Sequence, residues 1–475
     1  MIHFAKNKVT ISLFILLAVI LTLRLSCFFF VISSEPSRIL RIDSSDYNNS
    51  ARALLETGNF AISPEKPHLL QTVRTPGYPF YIASIYRIFG ERLLPVIVIQ
   101  ILISIGTIFL TFKIGQLLWN SEKIALLSSL ILSLDVVSFN YSQVLLAETL
   151  FTFLITASIA IGVFLLNKKQ INSYALLYGL ILALATLVRP ISYYLIFPCV
   201  VVFIIFWRID HKKWKDVLVV LFLIILPYIL IVGGWQMRNY LAVGSFEVSH
   251  IKHINLLLYR GSGIIAQKEN ITFDEASQKL LKSLPEKNGL PTKELYELYK
   301  KKGLMLIKQH PFLFIKDQIK GCKITLFGLG DYYFLTYLGV KTGFIGDLFR
   351  FSIKEYISKW IIKGSPLKLV VGFFITFFSI GYLFFLYTGV IYSLFKINRL
   401  ENYSLFIHIF IWGIIAYFLI VSSGPESYER FRVPITPLLS LYGGIGIYYL
   451  FKSFELITTA KGGSLNVCPE RGSNL

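Results

Sequence analysis

Three carboxylates and several arginines stand at the borders of apolar runs in this sequence. Asp43 and Asp46 lie in Arg41-Ile-Asp-Ser-Ser-Asp-Tyr47, directly after the first apolar run. Glu148 lies about one turn into another, within Ala147-Glu-Thr-Leu-Phe-Thr-Phe-Leu154. Arg74 opens Arg74-Thr-Pro-Gly-Tyr-Pro-Phe-Tyr81, Arg189 closes a third run just before Pro190, and Arg238, Arg430 and Arg432 border later ones. A carboxylate at a membrane surface is solvated by water and headgroups. There it can act as a general base on an acceptor hydroxyl or amine while a lipid-borne donor lies beside it. Arginine has a planar fork that holds phosphate oxygens bidentately, so these arginines suit an anionic phosphate group. The competing explanation is that each charge merely caps a span at the headgroups; Asp135 is open to the same two readings.

The elements that must carry these residues are membrane spans. The chain has 475 residues, of which 55% are hydrophobic and only 16% charged, and its mean hydropathy is +0.64. Apolar runs of about 20 residues recur along it, the length that crosses a bilayer core. A net charge of +20 would suggest nucleic acid in a soluble protein. Here the basic residues flank spans and no nucleic-acid motif accompanies them, so the reading is no nucleic acid and anionic membrane lipids instead. The four cysteines show no zinc spacing, and their placement argues against a structural disulfide.

Lys6 and Lys8 precede an apolar run at 9–32, too long for a signal-peptide core, which reads as an uncleaved anchor. Arg24 interrupts it, either shielded by neighbouring helices or facing a buried phosphate site. Residues 34–90 form a first external loop, with an amphipathic helix at 44–57 stopped by Gly58. Spans follow near 93–112, 123–139, 144–166, 173–188, 191–207 and 216–235. The links between them are basic on one side only, which puts the amino terminus in the cytoplasm and 34–90 outside. Residues 236–365 read as an extracytoplasmic loop domain with helices at 270–283 and 292–309, and Gly261-Ser-Gly263 reads as a turn. Three further spans lie near 367–395, 403–422 and 433–452. The expected organisation is a transmembrane catalytic module at 1–235, the loop domain at 236–365, C-terminal transmembrane helices at 366–455 and a disordered cytoplasmic tail at 456–475. The fold class is an all-α polytopic membrane protein of about ten transmembrane helices. The informative polar residues all fall near the extracytoplasmic face.

In order along the chain, Asp43-Ser-Ser-Asp-Tyr-Asn-Asn-Ser-Ala51, Arg74-Thr-Pro-Gly-Tyr-Pro79, Leu146-Ala-Glu-Thr-Leu-Phe151, Leu184-Ala-Thr-Leu-Val-Arg-Pro190, Trp235-Gln-Met-Arg-Asn-Tyr240 and Arg430-Phe-Arg-Val-Pro-Ile-Thr-Pro437 resemble membrane glycosyltransferases of the GT-C type. The protein O-mannosyltransferases and the lipid A aminoarabinose transferase are the nearest in pattern. The resemblance implies an inverting transferase with a polyprenyl-phosphate sugar donor, whose departing lipid phosphate calls for cations, a task a divalent ion could share, and an extracytoplasmic acceptor: a glycolipid, a polysaccharide or a protein. It implies Asp43 as the first-loop catalytic acid, Glu148 as a second acid and Arg74 as a holder of donor phosphate. Arg189, Arg238 and Arg432 are further candidates for that phosphate. The mannosyltransferases carry an adjacent Asp-Glu pair; here Ser44 follows Asp43, and Asp46 is either a local substitute or, the favoured reading, a helix N-cap. The acid that precedes Lys-Pro-Pro in the aminoarabinose transferase is Val73 here, a departure that removes one ligand from a metal site built on it and leaves His250 and His253 as the other candidate ligands. The alternative function is a transporter or flippase of a lipid-linked glycan, which requires a polar path through the membrane rather than polar residues on one side.

Overall fold

The structure, a computed structural model, describes residues 2–167, 172–284, 292–340, 366–396 and 405–463. They are almost entirely helical; an isolated antiparallel bridge joins Ala61 to Leu70. Of the expected disordered tail at 456–475, residues 456–463 are helical and continue the last helix; residues 464–475, the proline-flanked middle of the loop region and part of its glycine-rich end lie outside the described residues.

The chain opens with α1 (Ile2–Ser34), then α2 (Ser44–Thr57) and α3 (Gly77–Phe89), then α4 (Leu93–Trp119), α5 (Glu122–Ser133), α6 (Val136–Tyr141), α7 (Glu148–Asn167), α8 (Asn172–Val188), α9 (Ile196–Ile209), α10 (Trp214–Tyr228) and α11 (Gly234–Val243). A largely polar region follows with α12 (Ile251–Ile254), α13 (Ser262–Glu269), α14 (Phe273–Lys282), α15 (Thr292–Gln309), α16 (Pro311–Phe327) and α17 (Asp331–Tyr337). The chain returns with α18 (Pro366–Lys396), α19 (Leu405–Ser422) and α20 (Thr436–Gly463). Among the described residues, seven helical segments are long and apolar enough to cross a membrane: Lys8–Ser34, Leu93–Trp119, Glu148–Asn167, Pro190–Ile209, Trp214–Val243, Val370–Phe395 and Leu405–Ser422. The apolar helix Asn172–Val188 is shorter. The protein is a polytopic all-helical membrane protein.

One large apolar cluster holds the bundle together, running from Phe28 and Val31 through Phe151, Ile155 and Tyr178 to Phe410 and Tyr442. Many apolar side chains also point outward, among them Phe14, Phe197, Phe222 and Phe374. That pattern suits helices whose outer surface meets lipid rather than water.

Three local expectations are corrected. The run at 123–139 is not one helix: Asp135 breaks it, and its carboxylate caps α6 by accepting the Ser138 N–H at 2.8 Å. Glu148 is the first residue of α7 rather than a residue one turn in. Gly261-Ser-Gly263 is helical and not a turn. Gly263 is small because α13 packs there against the Pro425 ring and the Asp317 carboxylate, which a Cβ would meet at 2.4 and 2.6 Å. By contrast the amphipathic helix at 44–57 forms as α2, and Gly58 ends it at φ 71°, a left-handed conformation that glycine adopts without steric cost.

Candidate functional site

The site is assembled by anchoring the start of α2 to an irregular stretch that precedes α7. The Ser44 hydroxyl accepts the Arg41 N–H at 2.8 Å and donates to the Leu145 carbonyl at 2.7 Å. The Leu145 N–H donates to the Ile39 carbonyl at 2.9 Å. Non-helical backbone at membrane depth survives only where its polar groups find partners in the protein. Here buried Gln100 of α4 supplies them, its amide donating to the Tyr141, Ser142 and Val144 carbonyls at 3.3, 3.2 and 2.8 Å. Asp43 and Glu148 are thereby held on one side of the bundle.

The second anchor joins α3 to α8. Thr75 donates its hydroxyl proton to the Val188 carbonyl. At Gly77 a Cβ would stand 2.7 Å from the backbone of Leu187 and Val188, so only glycine permits the approach. Arg74 and Arg189, 115 positions apart in the chain by number, are set beside the same acids as a result.

These anchors create a ladder of three acids and three arginines. Asp46 Oδ2 accepts from Arg74 Nη2 at 3.0 Å and Nε at 3.1 Å. Arg74 Nη2 also reaches Asp43 Oδ1 at 2.7 Å. Asp43 Oδ2 accepts from Arg430 Nη1 at 3.0 Å. Arg430 Nε lies 3.9 Å from Glu148 Oε1, which pairs with Arg189 Nη1 at 2.8 Å. Formal charges alternate along the ladder and cancel. Its Asp46 end is open to solvent, with half of that side chain exposed, while Glu148 is only 3% exposed. Aromatic faces line the cations: Tyr47 under Arg74 at 5.3 Å, and Phe431 beside both Arg189 and Arg430 at 5.8 and 5.2 Å. Such contacts favour the charged guanidinium where water is scarce.

Burial pushes the Asp43 carboxyl up, but the charges of Arg430 and Arg74 and their hydrogen bonds outweigh it and hold the group below its ordinary value. Burial likewise opposes the Arg430 charge, and Glu148 and Asp43 more than restore it. Asp43 is therefore a carboxylate, restrained by two cations.

The structure joins five of the seven candidate residues, Asp43, Asp46, Arg74, Glu148 and Arg189, and places the other two elsewhere. Arg432 is fully buried on the Leu326 and Gly328 carbonyls at 2.8 and 2.9 Å, and faces Asp135 at 3.4 Å. Arg238 donates to the Gln71 and Phe60 carbonyls at 2.9 and 2.8 Å and stacks on Trp235. The favoured N-cap role for Asp46 is corrected: Asp43 occupies the N-cap position without a side-chain cap bond, and Asp46 sits in the first turn with its carboxylate on Arg74. Arg24 is also apart, buried over the Phe139 ring, with its Nε and Nη1 unpartnered among the described residues. The residue that the phosphate candidates omit is Arg430. Arg-Phe-Arg offers two arginines, and a short 3₁₀ turn over Glu429–Arg432 sends them to different partners.

Among the described residues, no three His, Cys, Asp or Glu side chains converge as metal ligands. His250 bonds the Ser245 hydroxyl, His253 faces Glu247, and every ladder carboxylate faces an arginine.

Residues 73–231 match the family described as dolichyl-phosphate-mannose-protein mannosyltransferase, a span that includes Arg74, Glu148 and Arg189. No curated protein sequence matches the chain. Similar solved structures include the archaeal oligosaccharyltransferase AglB from Archaeoglobus fulgidus in complex with an inhibitory peptide and a dolichol-phosphate, at 12% identity and a TM-score of 0.46, over 96% of this chain and 52% of that one. They also include ArnT from Cupriavidus metallidurans bound to undecaprenyl phosphate, at 10% identity and a TM-score of 0.40, over 95% of this chain and 81% of that one. The chain thus spans about half the length of the oligosaccharyltransferase.

Proposed function

We propose that this protein is an integral membrane glycosyltransferase. It transfers a sugar from a polyprenyl-phosphate donor to an extracytoplasmic acceptor, with inversion at the anomeric carbon. The observation that carries this reading is the ladder Asp46–Arg74–Asp43–Arg430–Glu148–Arg189, which places a partly exposed carboxylate between two arginines beside membrane-spanning helices.

In the proposed step an acceptor oxygen or nitrogen attacks the anomeric carbon from the face opposite the phosphate. The bond from that carbon to the phosphate oxygen breaks, and its electron pair leaves with the polyprenyl phosphate. The acceptor proton passes to Asp43. The leaving phosphate gains negative charge, and preorganised arginines stabilise such charge most where water is excluded. Arg430 and Arg74 are positioned for this, with Arg189 and Glu148 holding Arg430 from behind.

The ladder also restrains its own base. With both oxygens on arginines, Asp43 is a weak proton acceptor. A donor phosphate competes for the same guanidinium groups, and each hydrogen bond it takes from Asp43 raises the basicity of that carboxylate. Donor binding thereby prepares the base. Asp46 keeps Arg74 oriented during the exchange.

The test is transfer of radiolabelled sugar from a polyprenyl-phosphate pool in membranes with and without this protein. Label entering an acceptor only when the protein is present supports the reading. No transfer from any polyprenyl-phosphate sugar contradicts it, and makes movement of a lipid-linked glycan the next activity to assay.

A further inference from the structure

Arg74 can serve two carboxylates only if its backbone is fixed relative to α2, and one buried side chain spans that gap. Gln71 is 4% exposed. Its Oε1 accepts the N–H groups of Val73 and Arg74 at 3.0 and 3.1 Å. Its Nε2 donates to the Ser50 hydroxyl at 3.3 Å. Ser50 is fully buried on α2, four residues beyond Asp46 and so on the same side of that helix. One amide therefore connects the helix that presents Asp43 and Asp46 to the peptide units that present Arg74.

The main chain of Gln71 is braced as well. Its N–H donates to the Phe60 carbonyl at 2.9 Å, and Arg238 reaches across the loop to the Gln71 and Phe60 carbonyls together. The Ser249 hydroxyl donates to the Val73 carbonyl, and the His250 N–H donates to the Thr72 carbonyl at 3.0 Å. Within the turn, the Gln71 amide reaches Ser50 of α2 while the Arg74 guanidinium reaches Asp46 of the same helix.

We infer that Gln71 is a positioning residue for the donor phosphate: it holds Arg74 in register with Asp43 and Asp46 and acts on the phosphate through Arg74. Arg238, in this account, braces the turn from outside rather than touching the donor. The inference rests on the transferase reading above.

The experiment measures binding of radiolabelled, sugar-free polyprenyl phosphate to the purified full-length protein, alongside transfer kinetics. Gln71→Leu keeps the volume but removes both acceptor bonds and the donor bond. It is expected to raise the Kd for polyprenyl phosphate and the donor KM about tenfold, and any fall in kcat accompanies that rise, because Arg74 also faces the leaving phosphate. Gln71→Glu keeps an oxygen for the two N–H groups and is expected to stay within about threefold of wild type. Ser50→Ala, which removes the anchor with little change of volume, is expected to weaken binding about two- to fivefold and serves if Gln71→Leu fails to fold. An unchanged Kd in both Gln71→Leu and Ser50→Ala, or a fall in kcat alone, overturns the inference while leaving the transferase reading intact. Failure of the wild-type protein to bind polyprenyl phosphate overturns both.

Discussion

Asp43 and Arg430, separated by 387 residues in sequence, meet at 3.0 Å. The contact closes the ladder, since it ties the loop after the first span to the loop before the last helix. Arg430 is also the member that faces Glu148, so the Asp43 half of the ladder reaches Glu148 and Arg189 through it.

Arg430 and Arg432 should therefore fail differently when mutated. Arg430→Ala is expected to lower kcat/KM for the donor about 10²- to 10³-fold, the usual cost of removing one donor that stabilises developing charge. Arg432→Ala leaves buried Asp135 and two carbonyls without their cation, so it is expected to lower thermal stability strongly. Kinetics and melting curves on both variants check this. A normal donor kcat/KM in Arg430→Ala would remove Arg430 from phosphate binding.

The pH profile carries the sign of the restraint on Asp43. Its carboxyl is held down by Arg430 and Arg74 against the effect of burial. The ionised base is present above that lowered value and lost only as pH falls through it. The acid limb of kcat/KM, which reports the free enzyme, is expected below the ordinary aspartate value of about 3.9. Donor phosphate loosens the arginines, so the acid limb of kcat is expected at higher pH than that of kcat/KM. Coincident limbs would argue against competition between phosphate and Asp43.

Chelation gives a third outcome. The ladder carboxylates all face arginines, and no three metal-ligating side chains converge among the described residues. Transfer is expected to persist within about twofold after prolonged treatment with a chelator, the arginines supplying the charge stabilisation. Activity lost on chelation and restored by a divalent ion would show that cations beyond the arginines take part.

Gly77→Ala tests the anchor between α3 and α8. The added Cβ would stand 2.7 Å from the Leu187 and Val188 backbone, and neither side has a flexible atom to yield. Overpacking of this kind costs about 1–3 kcal/mol, read as a lower Tm. Because Arg74 and Arg189 are set by this contact, donor affinity is expected to fall as well. A variant with unchanged Tm and affinity would show that the two helices part freely there.

Much of the site is legible in sequence for a physical reason. A charged side chain bordering an apolar run is costly, so Glu148, Arg189 and Asp43 announce themselves by their neighbours. Arg74 is legible from the motif around it, and α2 from its periodicity and Gly58. The role of Asp46 is not, because an aspartate at a helix start looks the same whether it caps the helix or holds an arginine across the loop. Nor does sequence separate Arg430 from Arg432, since the choice depends on the direction of a short 3₁₀ turn. Gln71 is invisible for a related reason: its function lies in three hydrogen bonds to backbone and hydroxyl partners, none of which leaves a pattern in the chain.

The most direct test of the account replaces Asp43 with asparagine and follows a single turnover with a radiolabelled polyprenyl-phosphate sugar. The substitution preserves shape and removes the base. The account predicts donor binding retained within about threefold and sugar transfer reduced about 10²- to 10⁴-fold, the usual contribution of a general base. Transfer at the wild-type rate would contradict it, remove Asp43 from the proton transfer and leave Asp46 and Glu148 as the bases to test.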